Sequence, residues 1–233
     1  MMQISSQVVS AELSTLYNEL ATEYDLTESV YSFGGHSFSF LSVLDSYALL
    51  DRISPEEFVK DEQMPYWAEI WPSAITLSSF IADELHIKGN RVIEIGAGVG
   101  MASVVSAWKG ASVMATDYSL EALRFARYNG LKNRVNLAYE RLDWRIVQCR
   151  EQFDTLFAAD VLYERVNLLP IVTALDKLLK PEGVAYIADP RRRMAEQFLE
   201  LAVENNFTIT SFPQKYTGGS VPVTVNIYKM TRA

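Results

Sequence analysis

The residues of this chain best suited to chemistry gather around one segment, Val92-Ile-Glu94-Ile-Gly96-Ala97-Gly98-Val-Gly100. It falls where an apolar run ends and a helical pattern begins. Glycines at such a junction let the backbone turn sharply and let a ligand approach it closely. A dinucleotide fingerprint would need a further glycine at 101, where Met101 stands. Glu94 also argues against a pyrophosphate, which it would repel. It favours a ligand carrying an ammonium or sulfonium group. Asp117 lies about twenty residues beyond Gly96, where a carboxylate accepts both hydroxyls of a ribose. Tyr118 follows it. Asp143, with Trp144 beside it, is placed to accept from an adenine amino group, and Asp160 follows Ala159 at the end of another apolar run. In this order, glycine loop, ribose acid and adenine acid describe a site for a positively charged adenosine cofactor.

The elements that must hold these residues alternate from residue 90 onward. Strands are expected at 91–95, 111–116, 135–139, 155–159, 184–188, 207–212 and 221–228, and helices at 99–108, 119–131, 166–179 and 192–205. Strands alternating with helices imply an α/β fold: a Rossmann-like, doubly wound seven-stranded sheet with helices on both faces. The last two strands have no helix between them, only a turn at Gly218-Gly219. They form an antiparallel hairpin, so the last strand enters antiparallel. Glu94, Asp117, Asp143 and Asp160 then all fall at the carboxyl edge, where open α/β sheets bind ligands.

Residues 1–63 read as an N-terminal extension and 64–233 as the main domain. In the extension, Ser10 would cap a helix over 11–24 with Leu13, Leu16, Tyr17 and Leu20 on one face. Two aromatic runs, 29–33 and 36–41, flank Gly34-Gly35 and read as a β-hairpin. Ser54-Pro55 opens a second helix.

With 233 residues, 49% apolar and 21% charged, the chain can bury a core. It carries no run of about 18 apolar residues, so no membrane span is expected, and its first residues lack the pattern of a signal peptide. One cysteine, Cys149, precludes a disulfide framework and fits a cytoplasmic location; it is expected as a buried small hydrophobe. Two histidines, His36 and His86, and one cysteine do not furnish a His/Cys zinc site, and no metal is expected. A net charge of −8 disfavours nucleic acid as a partner.

Here the sequence resembles the seven-strand S-adenosylmethionine-dependent methyltransferases. Glu94 to Gly100 is similar to their first motif. Asp160-Val-Leu-Tyr163 resembles the D-x-x-Y motif of a group of protein-lysine methyltransferases within that superfamily. Pro65-Tyr-Trp67-Ala-Glu-Ile-Trp71-Pro-Ser73 is similar to a tryptophan segment of the electron-transfer-flavoprotein β-subunit lysine methyltransferases and of bacterial proteins labelled nicotinamide N-methyltransferase-like. Asp189-Pro190 resembles an Asp-Pro-Gly-Arg stretch there, with Arg191 in place of the glycine. The likeness covers about residues 28–229.

The resemblance implies S-adenosylmethionine as cofactor, held by Trp71, Glu94, Gly96, Ala97, Gly98, Gly100, Asp117, Tyr118, Asp143, Trp144, Ala159 and Asp160. Asp160 and Tyr163 are the expected catalytic pair. A lysine acceptor is charged at neutral pH, with an unperturbed pKa of about 10.4. Asp160 would orient the amine rather than deprotonate it, and Tyr163 would place its ring or hydroxyl beside it. Trp67 and Trp71, four residues apart, either add cation–π attraction or close the core of the extension. Arg191 to Arg193 read as a solvated helix start, with an acidic or phosphate-bearing substrate as the sharper alternative. A protein lysine is the leading acceptor. A small amine, or a methyltransferase fold without catalysis, are the alternatives.

Overall fold

The computed structural model describes residues 6–50 and 65–233. The helix start at Ser54-Pro55 and the domain boundary at 63/64 lie outside the described residues. Helix α1 spans Ser6–Glu23, a hairpin joins β1 (Leu26–Phe33) to β2 (His36–Val43), and a short α2 covers Tyr47–Leu50. A 3₁₀ turn at Tyr66–Ala68 leads into α3 (Pro72–Glu84). The alternating part follows: β3 (Arg91–Ile95), α4 (Met101–Trp108), β4 (Ser112–Asp117), α5 (Leu120–Lys132), β5 (Leu137–Arg141), β6 (Phe153–Ala159), α6 (Leu168–Leu178), β7 (Leu179–Asp189), α7 (Ala195–Glu204), β8 (Phe207–Tyr216) and β9 (Val223–Arg232).

The large sheet has the order β5-β4-β3-β6-β7-β9-β8. Its first five strands are parallel, and β9 is inserted antiparallel between β7 and β8. The centre is buried on both faces: Val92, Ile93 and Ile95 of β3 and Leu156, Phe157 and Ala158 of β6 expose no surface. This is why these strands read as near-continuous apolar runs instead of alternating ones. The strand order reverses between β3 and β6. Ligand clefts of open α/β sheets form at such a reversal.

Four expectations are corrected. Helix α1 begins at Ser6, so Ser10 is an interior residue whose carbonyl accepts the Ser14 hydroxyl, not a cap. Strand β7 begins at Leu179, not at 184. Phe153 pairs with Leu179 but Thr155 pairs with Val184, so Pro181-Glu182-Gly183 is accommodated in a bulge. A bulge tolerates the missing proline N–H. Helix α7 begins at Ala195 because Arg191 takes a left-handed φ of 65° and delays the first helical turn. Cys149 is half-buried beside the core, not fully enclosed.

The hairpin follows its pattern closely. Gly34 and Gly35 both have positive φ, as a two-residue turn between twisted strands requires. Phe38 and Phe40 are fully buried, and Phe38 meets the Trp108 ring edge-on at 5.4 Å, while His36 stacks on the same ring as a packing residue. The hairpin stands apart from the main sheet, and α5 secures its outer edge. Asn129 accepts the Leu41 N–H at 2.7 Å and donates to the Leu41 carbonyl at 3.0 Å. Asn133, one turn later, does the same for Ser39 at 3.0 and 2.7 Å. Residues four apart share a helix face, so two carboxamides take the place of a neighbouring strand. Among the described residues no helix is long and apolar enough to cross a membrane.

Candidate active site

The glycine loop connects β3 to α4 with Gly96, Gly98 and Gly100 at φ values of 65°, 52° and 81°. Two of these glycines are dictated by space as well. A Cβ on Gly100 would stand 2.8 Å from the Ala126 Cβ, so only glycine lets the loop pass α5. A Cβ on Gly96 would stand 3.0 Å from Val161 and 3.2 Å from the Trp144 ring, filling a slot between them.

Asp117, at the end of β4, pins this loop. Its Oδ2 accepts the Gly98 N–H at 2.8 Å and its Oδ1 accepts the Ser119 N–H at 2.9 Å. Burial pushes its carboxyl above the ordinary value, against these hydrogen bonds. A carboxylate oxygen accepts more than one hydrogen bond, so both retain capacity for a hydroxyl. Glu94 is 2% exposed, and its Oε2 accepts the Ser103 N–H at 2.8 Å as well as the Ser103 hydroxyl. Burial pushes Glu94 up to about 8, outweighing the Ser103 hydrogen bonds. A cation arriving beside it would favour its ionised form.

These residues face a cleft of about 370 Å³, within the range of small-molecule sites. Its wall brings together Trp71, Glu94, Gly96, Ala97, Gly98, Asp117, Tyr118, Asp143, Trp144, Ala159, Asp160 and Tyr163. Gly100, expected among the cofactor contacts, is not on that wall. Its role is the close passage of the loop over Ala126.

At one end of the cleft Asp143 caps the 3₁₀ turn Trp144–Ile146. It accepts the Arg145 N–H at 2.8 Å and the Arg145 guanidinium through both oxygens, at 2.9 Å each. Burial alone would raise its pKa, but the Arg145 hydrogen bonds outweigh that and hold the carboxyl below its ordinary value. Much of the accepting capacity expected for an adenine amino group is therefore taken by Arg145. Arg141 and Arg145 flank the Tyr118 ring, 4.6 and 5.2 Å from its centre.

At the other end Asp160 closes β6 with a left-handed φ of 59°, a conformation aspartate tolerates better than most residues. Its N–H donates to the Ala188 carbonyl at 2.9 Å, tying the turn to β7. Its Oδ1 pairs with Arg192 Nε at 2.5 Å, and its Oδ2 accepts the Ser73 hydroxyl at 3.3 Å. Three aromatic rings stand near it on the same wall. Tyr66 meets Tyr163 edge-on at 4.9 Å and Trp71 at 6.2 Å. The Trp71 indole N–H donates to the Tyr66 carbonyl at 2.8 Å. Burial raises the Tyr163 pKa further, so its phenol is a neutral donor.

Trp67 and Trp71 do not share a helical turn. Trp67 belongs to the 3₁₀ turn, while Trp71 is extended ahead of Pro72 at the start of α3. Trp67 touches the cleft but packs its ring on Phe125 at 5.4 Å and Tyr24 at 5.9 Å. Sequence reasoning missed Tyr66, Ser73 and Arg192. The first two lie inside the segment read for its tryptophans. Arg192 lies in the run Arg191 to Arg193, whose charge points to solvent or to an acidic partner rather than to Asp160.

Among curated relatives, the human putative methyltransferase-like protein 21E pseudogene is 30% identical over 167 residues, 64% of this chain and 60% of its own length. The mouse protein-lysine methyltransferase METTL21E is 31% identical over 167 residues, 64% of this chain and 67% of its own length. Thus the chain spans about three fifths to two thirds of these two relatives. A solved TehB-like S-adenosylmethionine-dependent methyltransferase from Corynebacterium glutamicum has the same fold, with a TM-score of 0.55 over 81% of this chain and 98% of that one at 18% identity. The family described as lysine methyltransferase matches residues 58–205, which include the glycine loop, Asp117, Asp143, Asp160 and Tyr163, and the chain belongs to that family.

Proposed function

We propose that this chain transfers a methyl group from S-adenosylmethionine to a lysine side chain of a protein. One observation carries the reading. A single cleft holds the pinned glycine loop at one end and Asp160 amid Tyr66, Trp71 and Tyr163 at the other. The donor set fits the cofactor. Glu94 is a buried carboxylate suited to an ammonium, Asp117 keeps capacity for ribose hydroxyls, and both stand on the wall of the cleft. The mouse relative, named for protein-lysine methylation, supports a protein acceptor. The net charge of −8 speaks against nucleic acid as that acceptor.

When bound, the cofactor would supply a methyl carried on a sulfonium, with the neutral lysine amine as its acceptor. The residues' work is then positional. Asp160 accepts an N–H of the amine and aims its lone pair. Tyr66, Trp71 and Tyr163 strip water from the lysine end, which lowers its pKa and favours the neutral form. Facing aromatic rings hold residual or product cation by about 0.5–2 kcal/mol.

The test has two stages. Calorimetry should show saturable binding of S-adenosylmethionine and none of NAD. Radiolabelled methyl should then enter the protein fraction of a cell lysate, on lysine, and Asp160→Asn should cut the incorporation at least about tenfold, the scale of a lost charged hydrogen bond. Label found only in the small-molecule fraction would remove the protein acceptor.

A further inference from the structure

Arg192 makes three separate contacts. Its Nε reaches Asp160 Oδ1 at 2.5 Å. Its backbone N–H donates to Asp189 Oδ1 at 2.7 Å. Its guanidinium carbon lies 5.7 Å from the centre of the Trp71 ring. The two ends of the ion pair differ: the Asp160 side chain is 4% exposed and that of Arg192 is 33% exposed. The backbone is bent to make this possible. Arg191 adopts φ 65°, and that turn brings the next residue back over the carboxyl ends of β6 and β7. Such a conformation costs a non-glycine residue about 1–2 kcal/mol, and strain of this kind persists where the surroundings over-determine it. Asp189 is fully buried, and its Oδ2 accepts no hydrogen bond from the described residues. Its remaining oxygen is spent on fixing Arg192. The result is a cation held over one oxygen of the carboxylate that the acceptor amine must use.

We propose that Arg192 is the resident counter-ion of Asp160, a positioning and specificity-determining residue that fills the cation place at this carboxylate so that the acceptor nitrogen enters as the neutral base. The proposal rests on the methyltransferase reading of the cleft. Oδ1 carries the guanidinium and Oδ2 only the Ser73 hydroxyl at 3.3 Å, so the amine meets less opposing charge at Oδ2, which fixes the side of approach. With a guanidinium already in place, an ammonium gains little from Asp160 and is opposed by a like charge, whereas a neutral amine still donates one N–H. Arginine suits this better than lysine because its guanidinium stays charged and grips through a planar fork.

The experiment compares two cofactor analogues by calorimetry near pH 7: S-adenosylhomocysteine, and sinefungin, in which a carbon-borne amine stands where the sulfonium methyl would be. Their affinity ratio isolates what an ammonium gains at the acceptor end. For the wild-type chain the ratio should be close to one. Arg192→Gln should leave S-adenosylhomocysteine binding as it was and tighten sinefungin roughly fivefold, the scale of a partly exposed ion pair. Arg192→Lys should stay near the wild-type ratio, and adding Asp160→Asn to Arg192→Gln should abolish the gain. An unchanged ratio in Arg192→Gln, or a gain that survives Asp160→Asn, overturns the proposal. So does a parallel loss of both ligands in Arg192→Gln and Arg192→Lys, which would make Arg192 a structural prop. If neither analogue binds the wild-type chain, the cofactor reading itself fails and this inference falls with it.

Discussion

The two ends of the cleft are built on different principles. The glycine-loop end is fixed by backbone. Its two buried carboxylates spend hydrogen bonds on main-chain N–H groups, Asp117 on Gly98 and Ser119, Glu94 on Ser103. The Asp160 end is fixed by side chains from distant parts of the chain: Ser73 from α3, Tyr66 and Trp71 from the approach to it, and Arg192 from beyond β7. A backbone-built site has little freedom to drift, because altering it alters the fold. A side-chain-built site can be retuned one residue at a time. The cofactor end is therefore expected to be constant in chemistry and the acceptor end to carry specificity.

That contrast can be broken by substitution, with the largest effect at the loop. Gly100→Ala places a methyl against Ala126 and a side chain at φ 81°, and should cost about 3 kcal/mol of stability, summing left-handed strain and overpacking. Denaturant unfolding measures this, and a loss below about 1 kcal/mol would mean that the loop can move off α5. Next comes Asp117→Ala, which should weaken S-adenosylmethionine binding roughly 100-fold, the scale of lost charged hydrogen bonds. Full affinity in calorimetry would remove the ribose assignment.

The pH dependence sharpens the comparison further. Burial raises Glu94 to about 8 and Asp189 to about 6. Both hold a proton in the folded chain at a pH where the unfolded chain has lost it. Their contribution to stability is present at low pH and is lost as pH rises through about 6 and then about 8. The lowered carboxyls, Glu23, Glu28, Asp143 and Asp154, act in the opposite sense, but only as pH falls below the usual carboxylate range near 4. The ligand-free protein should therefore melt higher at pH 5.5 than at 8.5. Glu94→Gln should flatten the upper part of that slope in a thermal melt, and an unaltered slope would show that Glu94 titrates normally. The smallest effect belongs to Arg191→Gly. Glycine accepts the left-handed turn but loses more chain entropy, so stability should change by less than about 1 kcal/mol. A larger loss would show that the Arg191 side chain is itself needed.

What could be read from the sequence follows the same division. Strand β3 was expected at 91–95 and is found there, since a strand buried on both faces writes itself as an apolar run between polar ends. The glycine loop and its acids were legible because they are short-range, each a fixed step beyond a strand. The spacing of Trp67 and Trp71 by four suits a shared helix face, but Pro72 carries the opposite signal, since a residue before proline is pushed towards extended backbone. Arg192 was illegible for a deeper reason. Its contact with Asp160 spans 32 residues and depends on a left-handed turn at Arg191. No residue type there announces such a turn.

The place of β9 bears on how the molecule is made. A strand formed by residues 223–232 lies inside the sheet, with β7 on one side and β8 on the other. On the ribosome the other six strands of this sheet are available before it. Until β9 has left the exit tunnel, β7 therefore presents Tyr186-Ile187-Ala188 along an unpaired edge, next to the turn that carries Asp189 and Arg192. An open apolar edge is a template for pairing with another chain. The growing chain thus passes through an interval in which its half-finished sheet offers that edge to other chains, and a stop codon shortly before residue 223 would prolong that interval indefinitely.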